Sequence, residues 1–154
     1  MSNLEKIPVT ILTGFLGAGK TTLIRNLIIK NKSKRLAVII NEFGDLGVDG
    51  EIVKQCSDAT CPEENILELA NGCICCTVAD DFVPTMQTLL DGKYLPEHIL
   101  IETSGLALPK PLLKAFEWPE IRSKLTVDSV LAVVDAEAVV NGIFAPQMSI
   151  EIEN

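Results

Sequence analysis

The sequence predicts an α/β domain, a mostly parallel sheet flanked by helices. Three observations point there. Short apolar runs alternate with segments of helical periodicity. Those runs, Leu36 to Ile40 and Val130 to Val134 among them, are apolar without a break, as strands buried on both faces are. The first run leads directly into a glycine-rich turn followed by a helical pattern. Strands and helices in that order imply right-handed crossovers.

In order along the chain, Ile7 to Thr13 reads as the first strand, followed by the turn Gly14-Phe15-Leu16-Gly17-Ala18-Gly19-Lys20-Thr21-Thr22. Leu23, Ile24, Leu27 and Ile28 then fall on one helical face. A second strand lies within Arg35 to Asn41. A loop punctuated by Glu42, Gly44, Asp45 and Gly47 follows it. Asp81 to Leu90 reads as a helix with Phe82, Met86, Leu89 and Leu90 on one side, and Pro84 early within it. His98 to Glu102 is an apolar strand ending in a carboxylate, Pro109 and Pro111 mark a helix start, and Ser129 to Asp135 is a further strand. Asp135, at the end of that strand, suits a helix N-cap as well as it suits a site residue. Residues 1–142 form one domain on this reading. Residues 143–154 lose the strand–helix rhythm and read as an irregular or truncated end.

The 154 residues are about one domain's worth, and 47% hydrophobic with 22% charged residues is an ordinary globular composition. Net charge is −8, from 13 basic and 21 acidic residues, which disfavours nucleic acid as a partner. The longest apolar runs are far short of the roughly 20 residues of a membrane span. No basic leader with an apolar stretch opens the chain. A cytoplasmic location with no membrane partner is the expectation.

Gly14-x4-Gly19-Lys20-Thr21 between a strand and a helix fits a phosphate-binding loop, and with it a P-loop NTPase-type fold. Glycines allow the backbone to wrap a phosphate with several N–H groups pointing inward, and the helix adds the positive end of its dipole. Lys20 is placed to bridge the β- and γ-phosphates, and the Thr21 hydroxyl to ligate Mg²⁺. The nucleotide cradle on this reading is Gly14, Gly17, Ala18, Gly19, Lys20, Thr21 and Thr22. Glu102 can hold a magnesium-bound water, and the N–H of Gly105 can sense the γ-phosphate. Phe15 and Leu16 read as packing residues. Ser104 is no nucleophile-elbow serine, since Glu102 stands where that motif needs its first glycine.

Cys73, Cys75 and Cys76 place three thiols within four positions. Such a cluster suits a soft or borderline transition metal and excludes Mg²⁺. Adjacent Cys75 and Cys76 do not easily share one ion, so which of the three ligate stays open. Cys56 and Cys61 read as ordinary free thiols, and His98, the only histidine, as a satisfied polar residue at a strand edge.

With these residues in view, the sequence resembles the CobW-type branch of the P-loop metallochaperone GTPases. The stretches that carry the resemblance are Gly14 to Thr22, Asn41-Glu-Phe-Gly-Asp45, Asn71-Gly-Cys-Ile-Cys-Cys-Thr77, Glu102-Thr-Ser-Gly-Leu-Ala107 and Val133-Val-Asp-Ala136. Thr77 to Phe82 looks most like the cobalt-handling members of cobalamin synthesis. The resemblance implies a GTPase with GTP and Mg²⁺ as ligands and with Lys20, Glu42 and Glu102 in the catalytic machinery. Glu42 would belong to switch I and Glu102 to the switch II region.

It also implies a divalent cargo, Co²⁺ or Zn²⁺ with cobalt favoured, bound by the Cys-x-Cys-Cys motif and delivered to a target enzyme such as a cobaltochelatase. The alternatives are a zinc chaperone of the same family and a shortened nucleotide- and metal-binding module without GTPase activity. The family's Asn-Lys-x-Asp guanine-recognition motif and its smaller C-terminal domain are not found in the 154 residues. The chain therefore reads as the N-terminal part of a longer protein, or a shortened version. A small-molecule kinase would carry clamping arginines, whereas Arg25, Arg35 and Arg122 form no cluster.

Overall fold

In the computed structural model, which describes residues 6–40, 66–68, 74–93, 95–103 and 109–142, five strands form one parallel sheet in the order β3-β2-β4-β1-β5. The elements run β1 (Ile7–Thr13), α1 (Lys20–Lys30), β2 (Leu36–Ile40), β3 (Ile66–Glu68), α2 (Ile74–Asp91), β4 (His98–Glu102), α3 (Pro109–Ala115), α4 (Pro119–Arg122), β5 (Leu125–Ala132) and α5 (Ala136–Val140). No described helix is long and apolar enough to cross a membrane.

Strand alternation divides the apolar residues between two layers. Val9, Ile11, Ala37, Ile39, Ile99 and Ile101 turn to one face, where Phe82, Met86 and Leu89 of α2 and Leu112 and Ala115 of α3 cover them. Phe82 meets the ring of Phe116 edge-on, with centroids 5.2 Å apart. Leu12, Val38, Ile40 and Leu100 turn to the other face, under Ile24 and Ile28 of α1. Every residue of β2 is buried, as its unbroken apolar run requires.

β1, β2 and β4 lie within the expected spans, but four elements differ. α2 begins at Ile74, well before Asp81, so Pro84 sits mid-helix and Cys75 and Cys76 fall in the first turn. The apolar face of Phe82, Met86 and Leu89 is visible in the sequence, whereas the Thr77–Asp81 stretch offers no periodic signal. β5 begins at Leu125 and ends at Ala132, short of Asp135. Asp135 is the N-cap of α5, its Oδ1 accepting from the N–H groups of Glu137 (2.9 Å) and Ala138 (3.2 Å). β3 and α4 are too short to leave a pattern, although Pro119 opens α4 at the position proline prefers.

His98 opens the central strand half-buried, with Nε2 2.9 Å from Thr10 Oγ1, which in turn lies 3.0 Å from Ser129 Oγ. The expectation of a satisfied polar histidine holds. Burial lowers its pKa from the ordinary 6.5; the Lys34 charge adds to that and Asp128 opposes it. The unfolded chain therefore takes up this proton first on acidification. Stability that His98 contributes is present above its unfolded pKa and is lost as pH falls through the lower folded value. Denaturation of the parent and of His98→Gln, at about pH 7.5 and about pH 5.5, should show the larger acid loss in the parent. Equal losses would mean that the imidazole is not held neutral.

Candidate nucleotide site

The sheet reverses its direction of growth between β1 and β4. From β1 the chain crosses by α1 to β2 on one side. From β4 it passes over β1, by α3 and α4, to β5 on the other. Such a switch point opens a crevice at the carboxyl ends of the strands, where α/β sheets bind ligands. The glycine-rich turn leaves β1 there, and Glu102 ends β4 there.

Three glycines in the turn have positive φ, Gly14 at 136°, Gly17 at 80° and Gly19 at 99°. At Gly14 space matters as much as torsion, because a Cβ would stand 2.2 Å from the carbonyl oxygen of Val133. Gly17 and Gly19 face open space, so there the torsion alone calls for glycine. Gly19 is the N-cap of α1 and brings no side-chain acceptor, so the first N–H groups of the helix have no side-chain cap from it.

Lys20 is buried, only 6% exposed. Its ammonium donates to the carbonyl oxygens of Gly14 (2.7 Å) and Phe15 (3.0 Å) and lies 4.0 Å from Glu102 Oε1. Glu102, although it ends a strand, is equally buried. A cleft of about 380 Å³ opens between them, lined by Gly17, Gly19, Lys20, Thr21, Thr22 and Glu102, with Leu16 at its mouth. Leu16 is 92% exposed, so the expectation that it packs is corrected: the turn projects it away from both core layers.

The site residues thus divide into three groups. Gly17, Gly19, Lys20, Thr21, Thr22 and Glu102 come together around one cleft, with Gly14 behind Lys20 and Ala18 in the same turn. Glu42, Gly105 and Cys73 lie outside the described residues, as do the side chains of Cys75 and Cys76 and the residues Cys56 and Cys61. Among the described residues, no group of three or more His, Cys, Asp and Glu side chains is arranged to hold a metal.

Sequence reasoning missed Thr103. It is buried, and both its N–H (2.9 Å) and its hydroxyl (3.1 Å) donate to the carbonyl oxygen of Leu12. Those two bonds tie the end of β4 to the end of β1 and so fix Glu102 against the turn. A threonine just after an apolar strand gives only a faint signal of such a role.

The arrangement suits a nucleotide polyphosphate with a divalent cation. Backbone N–H groups, a helix N-terminus and one buried ammonium face a cleft of ligand size. Thr21 also lines the cleft, and its hydroxyl is a hard oxygen of the kind Mg²⁺ prefers.

The family model described as "CobW/HypB/UreG, nucleotide-binding domain" matches residues 8–153. The zinc chaperone CobW of Sinorhizobium sp is 62% identical over 144 residues, covering 94% of this chain and 41% of that protein. The zinc chaperone CobW of Pseudomonas aeruginosa is 58% identical, with 94% and 40% covered. The crystal structure of Zn(II)-bound YjiA GTPase from Escherichia coli superposes with a TM-score of 0.59 at 29% identity, over 90% of this chain and 44% of that one. The chain spans about two-fifths of the length of these relatives.

Proposed function

Since the chain belongs to the CobW/HypB/UreG nucleotide-binding family, we propose that it is the nucleotide-binding part of a GTP-dependent metallochaperone whose cargo is a divalent transition metal. The observation that carries this reading is the buried Lys20 at a cleft lined by Thr21 and Glu102, at the carboxyl end of a parallel sheet. In the proposed cycle Lys20 leaves the carbonyls of Gly14 and Phe15 for phosphate oxygens, and Thr21 holds Mg²⁺. The cation supplies charge neutralisation at the phosphates. Glu102 and Glu42 serve the switch regions, and Gly105 contributes its N–H. GTP binding acts through the segment bearing Glu42 to give the Cys73–Cys76 motif its metal-holding geometry. Hydrolysis reverses this and releases the ion to a target enzyme.

Zinc replaces cobalt as the favoured cargo, because the relatives matched along most of this chain are named zinc chaperones. Thiolates by themselves do not select cobalt over zinc, whose place in the affinity order is no lower. Cobaltochelatase, an example tied to a cobalt cargo, is accordingly not carried into the proposal. Cytoplasmic location stays part of the proposal.

Cys73, Cys75 and Cys76 are proposed to supply at least two thiolates to the ion. Co²⁺, used as a spectroscopic stand-in for Zn²⁺, should give sulfur-to-metal charge transfer and release protons, because thiols of pKa ~8.5 must ionise to bind. Replacing Cys75 and Cys76 together by serine should abolish that band, whereas replacing Cys56 and Cys61 should leave it. The reverse pattern would move the site to the upstream pair.

A further inference from the structure

We propose that the end of the sheet opposite the nucleotide cleft is a docking surface for an acidic, extended segment of a partner protein. All five strands are parallel, so their amino ends share that side, and β1, β2 and β5 are each entered from a basic residue. Arg35 precedes β2, Lys6 precedes β1 and Lys124 precedes β5, and all three are exposed. The main chain holds them in a row. The N–H of Ile7 donates to the carbonyl of Lys124 at 2.9 Å, and that of Glu97, the residue before β4, to the carbonyl of Arg35 at 2.7 Å. Lys30, Lys32 and Lys34, where α1 turns into β2, are exposed at the same end.

This positive charge is local. Residues 30–35, 91–97 and 117–124, each stretch leading to the amino end of a strand, hold with Lys6 eight basic residues against four carboxylates, in a chain of net charge −8. Helix C-termini attract cations, which accounts for Lys30 and Arg122 in the last turns of α1 and α4. Lys6, Arg35 and Lys124 stand before strands and have no such reason to be basic.

A break in the row distinguishes a polypeptide from other polyanions. Glu97 opens the strand between those of Arg35 and Lys6. Its carboxylate lies 3.8 Å from Arg35 Nη1, with the side chain 46% exposed. A phosphate backbone or an anionic lipid surface would set unbroken negative charge against that carboxylate, whereas a polypeptide can place an uncharged residue there. Arg35 Nε donates to the carbonyl of Leu95 at 3.0 Å, and Leu95, 48% exposed, offers an apolar anchor beside the charges, as protein interfaces do. The basic groups at β2 and β1 stand two strand spacings apart, roughly 10 Å, which three residues of extended chain span. Carboxylates at every third position therefore meet both. The seven residues of β1 put about 20 Å between this surface and the phosphate loop, beyond the screening length of roughly 8 Å. Partner and nucleotide therefore bind without competing.

The test is fluorescence anisotropy with two labelled peptides. One carries glutamate at every third position with leucine and serine between, and the other has glutamine in place of each glutamate. The expected result is binding of the glutamate peptide alone at about 50 mM salt, weakened at least about 10-fold at about 200 mM. GTP·Mg²⁺ should leave that affinity unchanged. Lys34→Glu with Lys124→Glu should weaken it at least about 10-fold. Arg25→Glu with Lys110→Glu makes the same change in net charge at exposed positions within α1 and at the start of α3, and should alter it by less than about 2-fold. Circular dichroism verifies that both double variants are folded. No binding of the glutamate peptide, equal losses in the two double variants, or displacement by GTP·Mg²⁺ would overturn the proposal. So would tighter binding to phosphatidylserine vesicles or to duplex DNA than to the peptide. Self-association of the parent at low salt that the Lys34→Glu, Lys124→Glu variant loses would also overturn it, by assigning the surface to a second copy.

Discussion

Lys20→Ala is expected to weaken GTP·Mg²⁺ binding by about 100-fold or more, roughly the 3 kcal/mol of a charge-assisted hydrogen bond to phosphate. Lys20 Nζ sits between the loop carbonyls of Gly14 and Phe15 and the carboxylate of Glu102, and it is the one lysine lining the cleft among the described residues. Calorimetric titration with GTP·Mg²⁺ measures the loss, with circular dichroism to confirm that the variant is folded. Parent-like affinity would remove the phosphate-loop assignment.

Gly14→Ala is expected to cost about 3 kcal/mol or more, from a strained positive torsion plus an overpacked contact. For a chain of this size that lowers the melting temperature by about 6–12 °C. At φ 136° the added Cβ stands 2.2 Å from the Val133 oxygen, which belongs to backbone and cannot rotate aside. Relief requires the end of β5 to move from β1, at the expense of the Val133-to-Thr13 hydrogen bond. Gly17→Ala is the internal comparison. Its Cβ meets nothing within 4 Å, so only the torsional cost of about 1–2 kcal/mol remains. Thermal unfolding of both variants decides the matter; an equal loss would show that the Val133 contact yields easily.

What the sequence reveals of this fold depends on how far each element's cause is local. Ile7–Thr13 and His98–Glu102 are legible to the residue because β-branched and apolar residues dominate their buried interiors, and a glycine or a polar residue marks their ends. The extension of α2 back to Ile74 is not legible, since Cys75 to Asp81 carry neither apolar periodicity nor a capping signal. The Ser129–Asp135 reading overshot because Val133 and Val134 look like strand, whereas Asp135 is already capping the next helix. The same holds at the site. Glycine, lysine and threonine spacing announces the turn, and the strand end announces Glu102. The role of Thr103 depends on Leu12, distant in sequence, and only the folded sheet brings the two together.

The central claim is that metal and nucleotide are coupled, and one measurement meets it directly: the Zn²⁺ dissociation constant of this chain with GTP·Mg²⁺, with GDP·Mg²⁺ and with neither. The account predicts tighter zinc binding with GTP·Mg²⁺ alone, by a factor of about 5–150 as typical coupling energies give, and no such shift in Lys20→Ala. One and the same zinc affinity in all three conditions, with GTP shown to be bound, would contradict it.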